Sequence, residues 1–551
     1  MKNLRIKKSD FATVVLHWAL VISLAISLLT GLRIAADMPE NSWAIALDRI
    51  LLQGNVILWH TWSAISLTFI MIAYVFFLIR SGLQRRVAFD RSALRAVFGA
   101  DKSRRWRAIN VVIYWISFGL LIASTATGLV LYALPGLMNY LTLAQIHEIL
   151  AWSVLAYVVL HVIAQWAYGG FTHLAKILNP RLVYGTAALG SVAIATVTAA
   201  GIVFVDSRAL PTLVVQHSDT APQIDGLAND PVWENADRVE IATARGANAQ
   251  DGQVVTARMI HDGETLYTLF QWNDPTRSQM HLPLQKTEEG WRVLQYEFGI
   301  QDEDYYYEDK FGVMFATTPE LAGAGTSHLG GQPIENRPPP AGGRGLHYTT
   351  DGSFVDVWHW KSVRTGSFDQ IDDNYFGPPM EEDPTRSRYT GGYTQDPRTG
   401  GGYSMNWESF SDDIVTLTHL PRDPAMIEQF QDVDLASDIS DELTLAMRAE
   451  DMVPYTAEAD IYPIGTIMPS VMITGPHEGD RGDVLARAVW EDGVWTLEAQ
   501  RALDTTSRYD FVLQPDVPIY MWVAVFNHTQ TRHSQHLRPV RLMMETQHLG
   551  Q

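Results

Sequence analysis

The pattern of apolar and polar residues divides the chain near residue 206. Five apolar segments lie before this point, at approximately 12–34, 56–79, 109–133, 144–168 and 183–205. Each approaches or exceeds the roughly 20 apolar residues that a transmembrane helix needs. No apolar run of that length follows residue 206. The pattern therefore predicts an α-helical membrane half followed by a soluble half.

Short alternating segments in the soluble half predict β-strands. Residues 254–274 (VVTARMIHDGETLYTLFQWND) alternate on both sides of a turn signal, Asp262-Gly263. KFGVMFA, FVDVWHWKSV, GVWTLEAQRAL and IYMWVAVFN have the same character, and loops rich in Gly, Pro, Asp and Tyr lie between them. Many short strands joined by long loops predict an all-β sandwich. A short helix or an acidic loop is expected at 425–450.

The predicted domain boundaries follow from these two patterns, in a chain of 551 residues that is long enough for more than one domain. We expect a bundle of four transmembrane helices at 1–182 and a fifth transmembrane helix, serving as a tether, at 183–206. A linker at 207–220 then leads into the β-sandwich at 221–551.

Charge is divided at the same place. Residues 1–206 hold 17 Lys and Arg against 8 Asp and Glu, whereas the remainder holds 24 against 53. A strongly acidic soluble half would repel a phosphate backbone, which argues against nucleic-acid binding. It would suit a basic protein partner.

The distribution of basic residues predicts the orientation in the membrane. The N-terminal ten residues and the connection between the second and third spans are rich in Lys and Arg, whereas 35–55 contains only Arg49 and 134–143 contains none. By the positive-inside rule the N-terminus is cytoplasmic. We expect the protein to lie in a bacterial inner membrane. Five spans then place the residues after about 206 on its periplasmic side. The first span has no cleavage-site pattern after it and is expected to be retained.

The chain has no cysteine. This excludes disulfides, cysteine-ligated iron–sulfur clusters and covalently attached haem. Any haem would have to be held by His, Met or Lys.

Four histidines lie in the membrane segments. His147 and His161 are 14 residues apart on the fourth span, which places them within about 40° of one helix face and about 21 Å apart along the axis. His60 opens the second span at the outer side, and His17 opens the first at the cytoplasmic side. Depth therefore pairs His60 with His147, and His17 with His161. Ionisable residues inside a membrane indicate function, and two stacked histidine pairs indicate two haem irons.

Residues 10–180 resemble the di-haem cytochrome b subunits of nickel–iron hydrogenases and formate dehydrogenase. The shared features are the H-W pair at His17, the histidine that opens span two, and H-x13-H in span four. The resemblance implies that these four histidines are the axial ligands of two haem b groups. It also implies electron transfer between membrane quinone and a periplasmic redox protein.

The soluble half resembles the haem-binding subunit of ethylbenzene dehydrogenase and its dimethyl-sulfoxide-reductase-type relatives. The matching motifs are P-x-IDG…W at 222–233, LYTLFQWND at 266–274, EDKFGVMFA at 308–316, DVWHWK at 356–361, W-x-L-x-x-x-R-x-L at 495–503 and AVFN at 524–527. That family binds one haem b through a methionine and a lysine, so the resemblance implies a third haem here. Met314 matches the methionine.

The second ligand departs from the family pattern. Where the lysine is expected, FNHTQTRHSQHLRPVRL contains none. His536 and His533 are the nearest imidazoles, and Met–His is a common haem ligand pair. Lys361 is a rival ligand. The alternative for Met314 is a plain core methionine.

Two further interpretations stay open. The IDG…W opening also resembles carbohydrate-binding β-sandwich modules, so the exported half could be a ligand-binding module without haem. An exported haem with one open axial position could instead reduce a small substrate. No nucleophile, molybdopterin signature or nucleotide-binding loop stands out, so the sequence favours an electron-transfer component over a stand-alone catalyst.

Overall fold

The computed structural model describes most of the chain. The described residues are 9–36, 47, 50–52, 54–88, 95–99, 101–181, 183, 185–246, 248, 253–294, 305–319, 347–349, 351–381, 390–408, 414–435, 443–530 and 533–545. They form two compact units, one built mainly from long helices and one mainly from residues 210–551.

Five helices in the described residues are long and apolar enough to cross a membrane. They are α1 (Phe11–Ala36), α2 (Val56–Arg80), α3 (Lys102–Ala133), α4 (Tyr140–Leu174) and α5 (Gly185–Arg208). Asp101 caps α3 by accepting hydrogen bonds from the amides of Ser103 and Arg104 at 2.8 and 3.2 Å. The backbone departs from helical geometry near the end of α4, at Gly170, where φ is +60°. The five predicted spans are confirmed.

The fifth helix is a packed member of the bundle. Ala187 on α5 shares a buried cluster with Leu16 on α1 and with Ala73 and Phe77 on α2. At Gly190 a Cβ atom would lie only 2.9 Å from the ring of Phe76, so the absent side chain permits a close approach of α5 to α2. The helix predicted as a tether therefore also packs closely against α2.

Short strands dominate the second unit. In chain order they are β1 (Thr212–His217), β2 (Arg238–Ala242), β3 (Val254–His261), β4 (Thr265–Asn273), β5 (Leu284–Thr287), β6 (Gly290–Val293), β7 (Lys310–Ala316), β8 (Val355–Lys361), β9 (Asp372–Phe376), β10 (Tyr393–Gln395), β11 (Gly401–Met405), β12 (Trp407–Glu408), β13 (Ile414–Leu417), β14 (His419–Pro421), β15 (Ala446–Arg448), β16 (Met452–Pro454), β17 (Ile467–Met468), β18 (Val471–His477), β19 (Leu485–Glu491), β20 (Val494–Ala502), β21 (Ile519–Phe526), β22 (Ser534–Gln535) and β23 (Val540–Met544). The six segments predicted as strands from alternation are β3, β4, β7, β8, β20 and β21.

One curled sheet of 13 strands organises this unit within the described residues. Its order is β10-β9-β8-β7-β21-β23-β1-β3-β4-β20-β19, with β2 beside β3 and β22 beside β21. The parallel pairs β23–β1 and β1–β3 join its two halves. Side chains from both halves, including Trp272, Phe315, Trp358 and Leu497, share one buried core. The predicted all-β sandwich is confirmed, and its two layers belong to one continuous sheet.

The predicted turn between β3 and β4 is also present. Gly263 adopts a φ of +101°, a conformation that favours glycine. The Asp262 carboxylate accepts hydrogen bonds from the amides of Glu264 and Thr265 at 2.9 and 2.7 Å. Elsewhere, a short helix α6 (Pro231–Asn235) precedes β2, and residues 424–430 form a 3-10 helix in the segment for which a short helix or an acidic loop was expected.

Candidate cofactor sites

The rings of His60 and His147, the predicted outer pair, lie close together. His60 lies near the start of α2 and His147 near the start of α4. Their ring centres are 6.2 Å apart and the ring planes cross at 82°. An iron atom between them would need about 2 Å to each nitrogen and about 1.2 Å from each nitrogen to its ring centre, or about 6.4 Å in all. The observed separation fits a metal ion bound by both imidazoles.

Hydrogen bonds fix the tautomer of these two rings. Nδ1 of His60 lies 3.1 Å from the Ser27 carbonyl oxygen and 3.1 Å from Thr30 Oγ1. A carbonyl oxygen can only accept, so Nδ1 carries the proton and the lone pair is on Nε2. Thr127 Oγ1 donates to the Ala123 carbonyl at 2.9 Å, so it accepts from Nδ1 of His147 at 2.8 Å, and the lone pair of this ring is also on Nε2. Such contacts orient a ligating imidazole and raise its basicity.

Two glycines leave room beside the rings. A Cβ on Gly31 of α1 would lie 3.2 Å from Cε1 of His60, and a Cβ on Gly128 of α3 would lie 3.2 Å from Cε1 of His147. Each helix thus lets one histidine of the pair lie directly against its backbone. Gly128 therefore lets α3, which carries none of the four predicted histidines, pack against the ring of His147.

His17 and His161, the predicted inner pair, interact within the helical unit. His17 on α1 interacts electrostatically with His161 on α4 and with Lys176 beyond it. The hydroxyl of Tyr157, one turn before His161, lies 3.5 Å from its Nδ1. The structure therefore places the rings of His60 and His147 close together, and it places His17 and His161 within range of an electrostatic interaction.

A polar cluster lies at the same end of α4, and the sequence analysis missed it. Gln165 donates to Asn110 Oδ1 at 2.8 Å and contacts His173 at 3.1 Å, and Lys176 lies 2.9 Å from His173. His173 is buried. Its position 12 residues after His161 in the same helix was the available signal.

Met314 lies on the side of β7 that faces away from the main core. It packs against a buried cluster that includes Val357 and Trp522, and Tyr393 and Leu537 pack against the same cluster. Gly312, two residues earlier, carries no side chain, and its neighbour on β21 is Ala524. These two small residues lie next to Met314 on one face of the sheet.

The structure gives the predicted second ligands different surroundings. His536 is buried, and both of its ring nitrogens are engaged: Nε2 accepts from the Val523 amide at 2.9 Å, and Nδ1 donates to the Arg538 carbonyl at 2.7 Å. Burial lowers the pKa of His536 to about 4. Ligation of iron by His536 would break one of these two hydrogen bonds. The ligand role of His536 stays a prediction, with that loss as its cost.

Lys361 is committed to an ion pair. Its ammonium group donates to Asp372, which also accepts from Arg481 at 2.6 Å. Burial alone would raise the pKa of Asp372, but the charges of Lys361 and Arg481 hold it well below its usual range. Ligation by Lys361 would leave a buried carboxylate short of one partner.

Two imidazoles lie close to the Phe526 ring. The ring of His533 is 4.8 Å from it and the ring of His359 is 5.4 Å from it. His359 pairs directly with Gly312 in the register of β7 and β8, and so shares the sheet face of Met314. Its Nδ1 lies 3.4 Å from the Tyr393 hydroxyl, and its buried Nε2 receives no hydrogen bond within the described part of the chain.

The sequence analysis assigned His359 no role, although alternation along DVWHWK already placed it on one face with Val357 and Lys361. Only the pairing of β7 with β8 brings that face to Met314. Burial, together with the charges of Lys361 and Lys310, lowers the pKa of His359 well below its ordinary value.

Comparison with known proteins adds two family matches. Residues 230–538 match the ethylbenzene dehydrogenase family. This match covers more than half of the chain. The chain belongs to the ethylbenzene dehydrogenase family. In this family member, residues 8–179 also match prokaryotic cytochrome b561, so its helical half is a membrane b-type cytochrome domain of the electron-transfer class. Both resemblances drawn from the motifs are confirmed.

Curated proteins provide no match to this ethylbenzene dehydrogenase family member. Among solved structures, a family 9 carbohydrate binding module from Caldicellulosiruptor kristjanssonii in complex with cellotriose is 8% identical, with 62% of this chain and 97% of that chain covered and a TM-score of 0.24. A putative carbohydrate-binding protein from Bacteroides uniformis ATCC 8492 is 6% identical, with 61% and 100% covered and a TM-score of 0.25. Scores this low carry no conclusion about the chain.

Proposed function

We propose that this protein transfers electrons across the bacterial inner membrane, between quinone and a periplasmic redox partner. It would hold two haem b groups in the helical half and a third in the exported half. The observation that carries the proposal is the outer pair, His60 and His147, whose ring separation of 6.2 Å suits one iron between them. The cytochrome b561 match supports haem b in this half.

The residues of the helical half would bind and orient the cofactors. His60 and His147 would be the axial ligands near the periplasmic side, and His17 and His161 those near the cytoplasmic side. Bound haem supplies reversible one-electron chemistry, while the protein tunes it by position and hydrogen bonding. The Thr30 and Thr127 contacts to Nδ1 would hold Nε2 of each outer imidazole toward the metal.

Orientation and partner follow from charge. The basic N-terminal segment supports a cytoplasmic N-terminus and a periplasmic soluble half. That half has 53 acidic residues against 24 basic ones, which favours encounter with a basic redox protein. The quinone link rests on the resemblance of the helical half to quinone-reactive cytochromes.

Met314 is the proposed first ligand of the exported haem. Replacing Met314 by alanine is expected to lower the haem-to-protein ratio of the intact chain from three to two, because the thioether bond to iron is lost. The ratio is measured by pyridine haemochrome absorbance of purified full-length protein. Met521→Ala is the matched control, since Met521 lies on the neighbouring strand with its side chain in the main core. A ratio of two for the wild-type chain would favour the binding module without haem.

His359 is the proposed second ligand, ahead of His533 and His536. The reason is its buried Nε2, which meets no donor in the described residues, on the face shared with Met314. In His359→Ala we expect the exported haem to change from low spin to high spin, or to be lost, as seen by electron paramagnetic resonance at fixed protein concentration. His536→Ala and His533→Ala should leave this signal unchanged. If His536→Ala alone removes the low-spin signal, the earlier Met314–His536 pair is correct. A high-spin exported haem in the wild-type chain would instead favour reduction of a small substrate there.

A further inference from the structure

A cluster of carboxylates lies on the core side of the curled sheet, away from the proposed haem ligands. Asp356 on β8 and Asp373 on β9 point to the same face, because Trp358 pairs with Asp373 in the strand register. Asp510 approaches from the segment between β20 and β21. Each of these three offers a carboxylate oxygen that lies within 4.8 Å of the other two. Asp356 and Asp373 are 1% and 0% exposed.

Three of the six carboxylate oxygens in this cluster receive no hydrogen bond from a described residue. Arg501 donates to Asp356 Oδ2 at 2.5 Å and the Phe511 amide donates to the same atom at 3.1 Å. Thr505 donates to Asp510 Oδ2 at 2.6 Å. By contrast, Asp356 Oδ1 and both oxygens of Asp373 receive no hydrogen bond from any described residue. A fully buried carboxylate with no donor is costly, so Asp373 needs a ligand or a proton.

The local charge is also unbalanced. Asp483 lies beside Asp373, and the two carboxyl groups can form a hydrogen bond only by sharing a proton. The oxygens of Asp483 meet no other donor in the described chain. Four carboxylates thus surround one guanidinium, that of Arg501. Burial, reinforced by Asp510, raises the pKa of Asp356 to about 6, and burial raises that of Asp483 to about 7. Either shared protons or a cation must offset this charge.

We propose that Asp356, Asp373 and Asp510 bind a calcium ion. All three ligands are oxygens, the donor type that hard divalent cations prefer. Calcium–oxygen bonds of about 2.3–2.6 Å allow oxygens on opposite sides of the ion to be about 5 Å apart, whereas magnesium, at about 2.0–2.1 Å, spans only about 4.2 Å. The three oxygens lie within 4.8 Å of one another, so all three can contact one calcium ion. Magnesium usually keeps several of its waters, so a buried site of carboxylates suits it less well. The ion would bind to Asp356 Oδ1 and to Asp373. The contact of Arg501 with Asp356 Oδ2 would therefore stay in place.

Calcium here would stabilise a junction between distant parts of the chain. Asp356 and Asp373 belong to adjacent strands at one side of the sheet, while Asp510 follows β20 from the other side. A periplasmic location would supply calcium at concentrations that suit weak sites, with dissociation constants of about 10⁻⁴–10⁻³ M in extracellular modules. The proposal does not depend on the number of haem groups.

Calorimetric titration of detergent-solubilised full-length protein, stripped with EGTA, tests this site. We expect one calcium ion to bind per chain and to raise the unfolding temperature, with a smaller effect of magnesium at equal concentration. Asp373→Asn should abolish both responses while leaving the calcium-free protein at least as stable as the wild type, because a repelling buried charge is removed. Asp510→Asn provides a second variant should Asp373→Asn fail to fold.

Asp219→Asn controls for loose binding to an acidic surface, since the Asp219 side chain is 99% exposed. It should retain the full calcium response. The site is overturned if the wild type shows no calcium response, or if the response persists unchanged in both Asp373→Asn and Asp510→Asn. Either result would mean that shared protons offset the charge of the cluster.

Discussion

Replacing His147 by alanine is expected to lower the haem-to-protein ratio of the purified chain by one. The imidazole ring of His147 lies 6.2 Å from that of His60. If these two rings hold one haem b, as proposed, the haem would be held by His60 alone in the variant, because a chain without cysteine offers it no covalent link. Redox titration of the absorbance spectrum should show one membrane component missing and the other retained.

Two further variants make this test specific. His147→Met keeps a ligand atom, so we expect haem to be retained with a changed spectrum and potential. His217→Ala, on β1 of the soluble half, should change neither the ratio nor the titration. An unchanged ratio in His147→Ala would contradict the assignment of the outer pair.

Replacing Glu308 by alanine is expected to destabilise the soluble half by about 3–5 kcal/mol, the usual effect of removing one partner of a buried ion pair. Glu308 is 0% exposed. Its carboxylate accepts from His281 Nδ1 at 3.0 Å, from the amides of Val363 and Arg364 at 2.7 and 3.0 Å, and from the Arg364 guanidinium. Burial alone would raise the pKa of Glu308, but the Arg364 charge and the His281 hydrogen bond hold it well below its usual range.

The loss is measured as the shift of the denaturant unfolding curve followed by tryptophan fluorescence. Glu308→Gln keeps an oxygen for the backbone amides and should lose less. Glu264→Ala, at an exposed turn, should leave the curve within about 0.5 kcal/mol of the wild type. Equal curves for Glu308→Ala and Glu264→Ala would show that this network is not important for stability.

Glu308 also bears on the exported site. It precedes β7, which carries Met314, and its partners Val363 and Arg364 follow β8, which carries His359. The network therefore fixes the ends of the two strands whose register brings Met314 and His359 to one face. Weakening it should loosen both candidate ligands together.

The sequence by itself determined the elements and the membrane pairs. Apolar length predicted the five long helices, and alternation predicted β7, β8, β20 and β21, because both signals are local. The depth of His17, His60, His147 and His161 followed from helix rise and loop charge, since a bilayer restricts helices to one axis. Few arrangements remain under that restriction, so pairing by depth was already specific.

Only the tertiary structure decided the contacts that depend on packing and register. Which hydrogen bond orients His60 depends on how α1 packs beside α2, and the packing of α5 on α2 depends on small residues that no periodicity marks. His359 beside Met314, and Asp356 beside Asp373, arise from the pairing of strands that are separated by 38 and 10 residues of chain. Side-chain alternation gives the face of a residue within its own strand but not the partner strand or its register. The proposed site at Met314 and His359 and the acidic cluster could therefore be recognised only once the pairing of the strands was known.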